Sequence, residues 1–250
     1  MHPSNKLPRF TLALTTAFTL SIVSAQADFV IYSQNFNSYS NGTPLTSVPN
    51  WTDWSGNSVP TIINGKVTVA SGFDMLLNMT DVFSHGTNHV TIEFDQTSNP
   101  QLDNIFGPGS ASPPDLNYSQ IMGVQHGQDG ATQYLYTFNQ TNGSTDFITT
   151  QNFTGEKHYL WDLQKSGDDI TWTALADSTS LIGGSGVRTF TLTDPRGLNT
   201  MEWYALGGGG STLDNLVITG VVAAPEPTSI FLLTTGAVSL LTRRTRQKLR

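Results

Sequence analysis

An all-β fold, with two antiparallel sheets packed as a sandwich or one sheet closed into a barrel, is what this sequence predicts. Short runs rich in Val, Ile, Thr and aromatic residues alternate apolar with polar side chains, the period of strands with one buried face. Between residues 28 and 222 no segment carries the 3.6-residue apolar period of an amphipathic helix. Turn-forming pairs, Asn64-Gly65, Asn142-Gly143 and Gly167-Asp168, lie between the runs, where hairpins need them.

Residues 29–36 open the body, and 61–70 places β-rich residues on both sides of Asn64-Gly65. Residues 90–96 alternate Val90, Ile92 and Phe94 with Thr91, Glu93 and Asp95. The runs 120–125 and 133–138 come next, and 147–153 follows the Asn142-Gly143 turn. Residues 158–165 and 170–175 flank Gly167-Asp168, and the last three runs are 188–192, 201–206 and 213–218. Residues 99–118 read as a long irregular loop, of the kind that often carries function. The glycine run 207–210 joins two strands, and without a helix or a Lys-Ser/Thr pair it is a turn rather than a phosphate loop. No linker or repeat divides the body, so residues 28–222 are expected to form one domain.

Both ends carry address signals. Lys6 and Arg9 precede the uncharged stretch 10–23, and Ala25-Gln26-Ala27 gives a small-x-small cleavage site. Residues 1–27 therefore read as a signal peptide, helical during export and removed by signal peptidase. At the other end Pro225-Glu226-Pro227 precedes an uncharged run, 228–242, and then Arg243, Arg244, Arg246, Lys248 and Arg250. As a helix that run spans roughly 22 Å, short of the ~30 Å hydrocarbon core, which suits transient anchoring in the inner membrane with the basic end in the cytoplasm.

The three-part tail, residues 223–250, resembles the PEP-CTERM sorting signal. The resemblance implies that an exosortase recognises Pro225, Glu226 and Pro227, with Arg243 and Arg244 in the basic stop. It also implies cleavage near the motif, and delivery to the cell surface or extracellular matrix of a Gram-negative-type bacterium.

Charge narrows the function of the body. Two of the twelve Lys and Arg lie in the signal peptide and five in the tail, while only Glu226 of the nineteen acids leaves with them. The body thus keeps Lys66, Lys157, Lys165, Arg188 and Arg196 against eighteen acids, a net charge of −13. Such a surface excludes nucleic acid as a partner. Cysteine is absent, so stability rests on core packing, with or without a bound metal ion.

Gln34-Asn35-Phe36-Asn37-Ser38-Tyr39 near the start and Asp214-Asn215-Leu216-Val217-Ile218 near the end resemble the first and last strands of concanavalin A-like (laminin-G-like) jelly rolls. The stretch 159–175 resembles the strand pair before the last. The resemblance implies a two-sheet antiparallel jelly-roll sandwich. It also implies a structural Ca²⁺ held by Asp214 with amide oxygens from Asn35 or Asn37, a donor set calcium accepts. The plainer alternative is that Asp214 and Asn215 satisfy backbone groups where the last strand begins.

Glycan recognition is expected to use aromatic side chains beside amides and carboxylates. Trp54 with Asp53, and Asp103, Asn104 and Tyr118 in the long loop, are the candidates, while Trp51, Trp161, Trp172 and Trp203 sit in apolar runs and are expected in the core. A hydrolase of this fold is expected to place acids at alternate positions of one strand. Glu93 and Asp95 begin such a pattern, but Thr97 stands where a third acid would fall. The histidines show no metal-ligand spacing and no Gly-x-Ser-x-Gly elbow occurs. The sequence therefore predicts an exported body without catalytic activity that binds extracellular polysaccharide, or else acts as a structural component of the surface or matrix.

Overall fold

The computed structural model describes residues 28–56, 58–97, 102–129, 132–141, 155–182, 186–205 and 209–221. The stretches expected as signal peptide (1–27) and sorting tail (223–250), and the run expected at 147–153, lie outside the described residues.

The strands are β1 (Phe29–Gln34), β2 (Trp51–Asp53), β3 (Thr61–Ile63), β4 (Lys66–Thr68), β5 (Phe73–Asn78) and β6 (His89–Thr97). Then come β7 (Leu102–Gly107), β8 (Gly109–Ala111), β9 (Pro114–Leu116), β10 (Gln120–Asp129) and β11 (Thr132–Thr141). The chain closes with β12 (Glu156–Ser166), β13 (Asp169–Ala176), β14 (Thr179–Ser180), β15 (Arg188–Thr191), β16 (Thr200–Ala205) and β17 (Thr212–Val221).

Two antiparallel sheets take up all but one hairpin. The first runs β14-β13-β12-β6-β17-β4-β3, with β1 also on β17 and β15 also on β13. The second runs β11-β10-β7-β16-β5-β2. The β8–β9 ribbon stands apart from both. The expected two-sheet sandwich is therefore the fold, and the Asn64-Gly65 hairpin joins β3 to β4 with both turn residues at positive φ.

Alternation decides which residues fill the core. Val90, Ile92 and Phe94 of β6, Tyr159, Trp161 and Leu163 of β12, and Ile170 and Trp172 of β13 point inward from the first sheet. Phe73, Met75 and Leu77 of β5, Met122 and Val124 of β10, and Met201 and Trp203 of β16 meet them from the second. The four tryptophans expected in the core are all buried there. Trp161 stands edge-on to Phe94 and Phe106, linking the two sheets. The Trp203 indole N–H donates to the Gln96 side-chain oxygen across the core at 3.1 Å.

The stretch expected as a loop, 99–118, departs from that reading. It holds β7, in the middle of the second sheet, and the β8–β9 hairpin. All six residues of β7 are buried, including Asp103 and Asn104. A strand covered on both faces has no alternation to reveal it.

Candidate functional site on the outer face of the six-stranded sheet

The same alternation that sends Met201, Trp203 and Ala205 into the core turns Glu202 and Tyr204 to the opposite face of β16. On the neighbouring strands Asp74 of β5 and Asp103 of β7 each pair with Tyr204, and Gln125 of β10 pairs with Asp103. Four strands thus contribute one row, Gln125–Asp103–Tyr204–Asp74. Glu202 lies one step along β16, diagonal to both aspartates at about 7–8 Å between backbones.

Half of this face is roofed. Leu116 of β9 packs on Ile105 and Ile121, and Trp54 leans on the same cluster. The hairpin carrying Leu116 comes close because Gly109 has no side chain: a Cβ there would fall on the Thr200 hydroxyl and the Asp115 carbonyl. Asn199 exchanges two hydrogen bonds with the Gly109 backbone. Arg196 donates to Asp115 at 2.9 Å and to both oxygens of Asp194, tying the hairpin to the segment before β16.

At the edge of the roof Tyr118 stacks on Trp54, with ring centroids 5.7 Å apart and planes 16° from parallel. Its hydroxyl donates to both carboxylate oxygens of Glu202 at 2.7 Å. Tyr118 keeps 40% of its surface exposed, whereas Glu202 beneath it keeps 2%.

The carboxyls here are hard to ionise. Burial is the first cause for Glu202 and pushes it up to about 8; Asp74 and Asp103 add repulsion, and the Tyr118 hydroxyl pulls the other way. Burial raises Asp103 to about 6 against the Gln125 amide, which donates to its Oδ2 at 3.0 Å. Burial followed by the charge of Asp53 raises Asp74 to about 6. Both Tyr118 and Tyr204 are pushed up, burial first and the surrounding acids after it. The Oδ1 atoms of Asp74 and Asp103 are buried and accept no hydrogen bond.

Of the residues expected for glycan contact, Trp54, Tyr118 and Asp103 converge on this face. Asp53, at the end of β2, accepts the Gly56 N–H and lies near enough to act on Asp74. Asn104 does not join them: it points to the core between Leu102 and Phe106, fully buried and without a hydrogen-bond partner for either side-chain atom. Asp74, Glu202, Tyr204 and Gln125 were not foreseen. They sit at polar positions of alternating strands, and only the pairing of strands distant in sequence shows that they share a face.

Asp214, Asn35 and Asn37 are engaged locally. The Asn35 side-chain oxygen accepts the Asn37 N–H, and the Asp214 Oδ1 accepts the Asn215 N–H. Asn37 lies over Gly65, where a Cβ would strike its side-chain oxygen. Among the described residues no three His, Cys, Asp or Glu side chains group as a metal site. Asn215 instead takes a positive φ at the β17 bulge and donates to Asp95 at 2.7 Å.

The sequence matches no protein-family model and no curated protein. Solved structures do resemble the fold. An endo-1,3-β-glucanase from Streptomyces sioyaensis has TM-score 0.48 and 9% identity, covering 78% of this chain and 97% of its own. A Bacillus licheniformis β-glucanase gives 0.43 and 12%, covering 77% and 97%. Peanut lectin gives 0.41 and 12%, covering 77% and 98%. The likeness is one of fold alone; the two packed antiparallel sheets are the sandwich expected from the sequence.

Two of these neighbours are enzymes, which corrects the expectation of a body without catalysis. The physical reason lies in where acids were sought. The sequence reading followed one strand, Glu93 to Thr97, which faces outward on the other sheet, with Asp95 bonded to His158 at 2.8 Å. The acids that gather in the fold come from three adjacent strands of the second sheet, so the missing acid after Asp95 excludes nothing.

Proposed function

We propose that this protein binds glycan on the outer face of the six-stranded sheet, at Asp74, Asp103, Glu202 and Tyr204 beside the Trp54–Tyr118 stack. One observation carries the reading: three acids from adjacent strands, Asp74, Asp103 and Glu202, gather on one sheet face beside the partly exposed Trp54–Tyr118 pair. Sugars ask for this combination, because hydroxyls need acceptors while ring C–H faces pack on aromatic surface. The pairing of lectins with this fold supports the reading only by analogy.

The two ends of the sequence set the place of action. The protein is exported through its signal peptide, held briefly in the inner membrane by residues 228–242, recognised by an exosortase at Pro225-Glu226-Pro227 and released to the surface or matrix. Extracellular polysaccharide is the ligand present there.

The full-length protein, titrated with a panel of neutral, acidic and amino-sugar oligosaccharides, tests the site. Saturable binding to at least one class, weakened by Trp54→Ala and by Asp74→Asn, is expected. Unchanged affinity in both variants refutes this location. For the address, intact mass of the surface form in an exosortase-bearing host is expected to lack the arginine tail; a retained tail refutes the sorting claim.

A further inference from the structure

Four acidic side chains elsewhere on the described body pair with Lys or Arg. Lys66 pairs with Glu156, Lys157 with Asp177 at 2.8 Å, and Arg196 with Asp115 and Asp194. Lys165 lies over the Phe83 ring, 5.5 Å from its centroid, and Arg188 is on β15, at the first sheet. Among the described residues, no Lys or Arg pairs with Asp74, Asp103 or Glu202. Three carboxyls therefore share one face with no Lys or Arg in contact, and the charge of Asp53 lies near Asp74.

Such an arrangement is costly in a protein acting alone. A buried carboxylate needs a counter-charge or hydrogen bonds, and repulsion among neighbours adds to the cost. Asp103 is only 8% exposed, and its Oδ1, like that of Asp74, has no donor. Neutral hydroxyls would supply hydrogen bonds and leave the charge uncompensated. An ammonium group supplies both, with three N–H donors and a full positive charge. Three aromatic side chains, Tyr204 in the row and Trp54 with Tyr118 beside it, offer faces to a cation and to the apolar side of a sugar ring.

Resting on the glycan reading above, we infer that the ligand of this face is a glycan carrying free primary amines, such as an oligomer of unacetylated glucosamine, whose ammonium group sits between Asp74, Asp103 and Glu202. Acetylation would remove the charge and replace the ammonium by a neutral amide that satisfies at most one of the waiting oxygens. The site therefore discriminates by N-acetylation, a difference of one charge on otherwise matching sugars.

Binding of the cation also has a proton signature. Among the described residues the groups facing the ammonium are Asp74, Asp103, Glu202, Tyr118 and Tyr204, with Asp53 near Asp74, and a positive charge among them favours the ionised carboxyls. Glu202, raised to about 8, is largely protonated at pH 7 and gives up its proton on binding. Complex formation at pH 7 thus moves a proton off Glu202 while any unprotonated sugar amine takes one up, whereas a neutral sugar leaves the proton count little changed.

The experiment is calorimetric titration of the full-length protein at pH 7 with a glucosamine tetramer, its fully N-acetylated counterpart and a neutral glucan tetramer, in two buffers of different ionisation enthalpy. We expect the free amine to bind at least about tenfold tighter than the acetylated sugar, with heats that depend on the buffer. Asp74→Asn and Asp103→Asn are expected to erase the preference. Glu93→Gln, on the other sheet, is expected to keep it. Equal affinity for all three sugars overturns the amine preference and leaves glycan binding standing. A preference for the amine that survives both Asp variants, or falls equally with Glu93→Gln, overturns the site and assigns the effect to the overall acidity of the body. Absence of binding to every sugar in the wider panel would overturn both readings.

Discussion

The Tyr118 hydroxyl lies 2.7 Å from both carboxylate oxygens of Glu202, joining a residue at the foot of the β8–β9 ribbon to the middle of the six-stranded sheet. The contact fixes the aromatic platform at its polar end while Trp54 holds it by stacking. It also gives the most buried acid of the site its one side-chain donor. Platform and acid are therefore coupled: a change in the proton on Glu202 is felt by the ring that meets the ligand.

That coupling makes stability depend on pH in a direction the shifts define. Glu202 titrates near 8 in the fold against 4.5 in an ordinary environment, and Asp74 and Asp103 near 6 against 3.8. Between these values the folded chain holds more protons than the unfolded one, so stability falls as pH rises. The paired acids Asp177 and Asp194, whose carboxyls are held low by Lys157 and Arg196, act only at more acidic pH, where protonation removes their contribution. Thermal unfolding is expected to occur several degrees higher at pH 5 than at pH 8.5, with the slope reduced in Glu202→Gln. A flat profile in the wild type would refute the assignment.

Replacing Tyr118 by Phe keeps the ring on Trp54 and removes only the donor. Glu202 then has no partner when ionised, a loss on the order of 1–3 kcal/mol. The cost should be large at pH 8.5, where the carboxylate is charged, and small at pH 5, where it is protonated. Urea unfolding at both values checks this, and equal losses would contradict the raised Glu202.

How much of this was legible in the sequence differs by strand. β6 and β12 bury alternate residues and leave the others at least partly outward, so Ile92 and Trp161 announced their face. β5 and β7 did not. Leu76 of β5 and Ile105 of β7 are apolar on the outer face, because Trp54, Leu116 and their neighbours cover part of it. A sheet buried on both sides loses its period, and adjacent Asp103 and Asn104 made β7 look like loop. The site was half legible for the same reason. Trp54 and Tyr118 stood out as aromatics in polar surroundings, whereas Asp74, Asp103 and Glu202 meet only through pairing of strands that are distant in sequence.

Arg196 should matter for the platform without touching it. Its guanidinium donates to Asp115 on the ribbon and to Asp194 before β16, and Asn117 donates to Asp194 at 2.9 Å. In Arg196→Ala the ribbon loses its anchor at a cost of about 1 kcal/mol, the scale of a partly exposed ion pair. Limited proteolysis is expected to cut between residues 108 and 119 faster than in the wild type. Lysine at this position should restore little, because one ammonium cannot reproduce the fork that spans both carboxylates. Unchanged cleavage would show that Asn199 and Leu116 hold the ribbon unaided.

Calcium offers a separate test at the opposite sheet. The oxygens of Asn35 and Asp214 that a calcium ion would need already accept backbone N–H groups, at 3.3 and 2.8 Å. Burial also raises Asp214, which opposes the ionised form a cation requires. Lys66 and Asn215 work in the other direction, and Asp95 and Glu156 add to the rise. A calcium ion would have to share these oxygens with the turn after β1 and the bulge of β17. The melting temperature is therefore expected to be the same in millimolar calcium and in EDTA, for the wild type and for Asp214→Asn alike. A rise with calcium that disappears in Asp214→Asn would show that the turn rearranges around an ion.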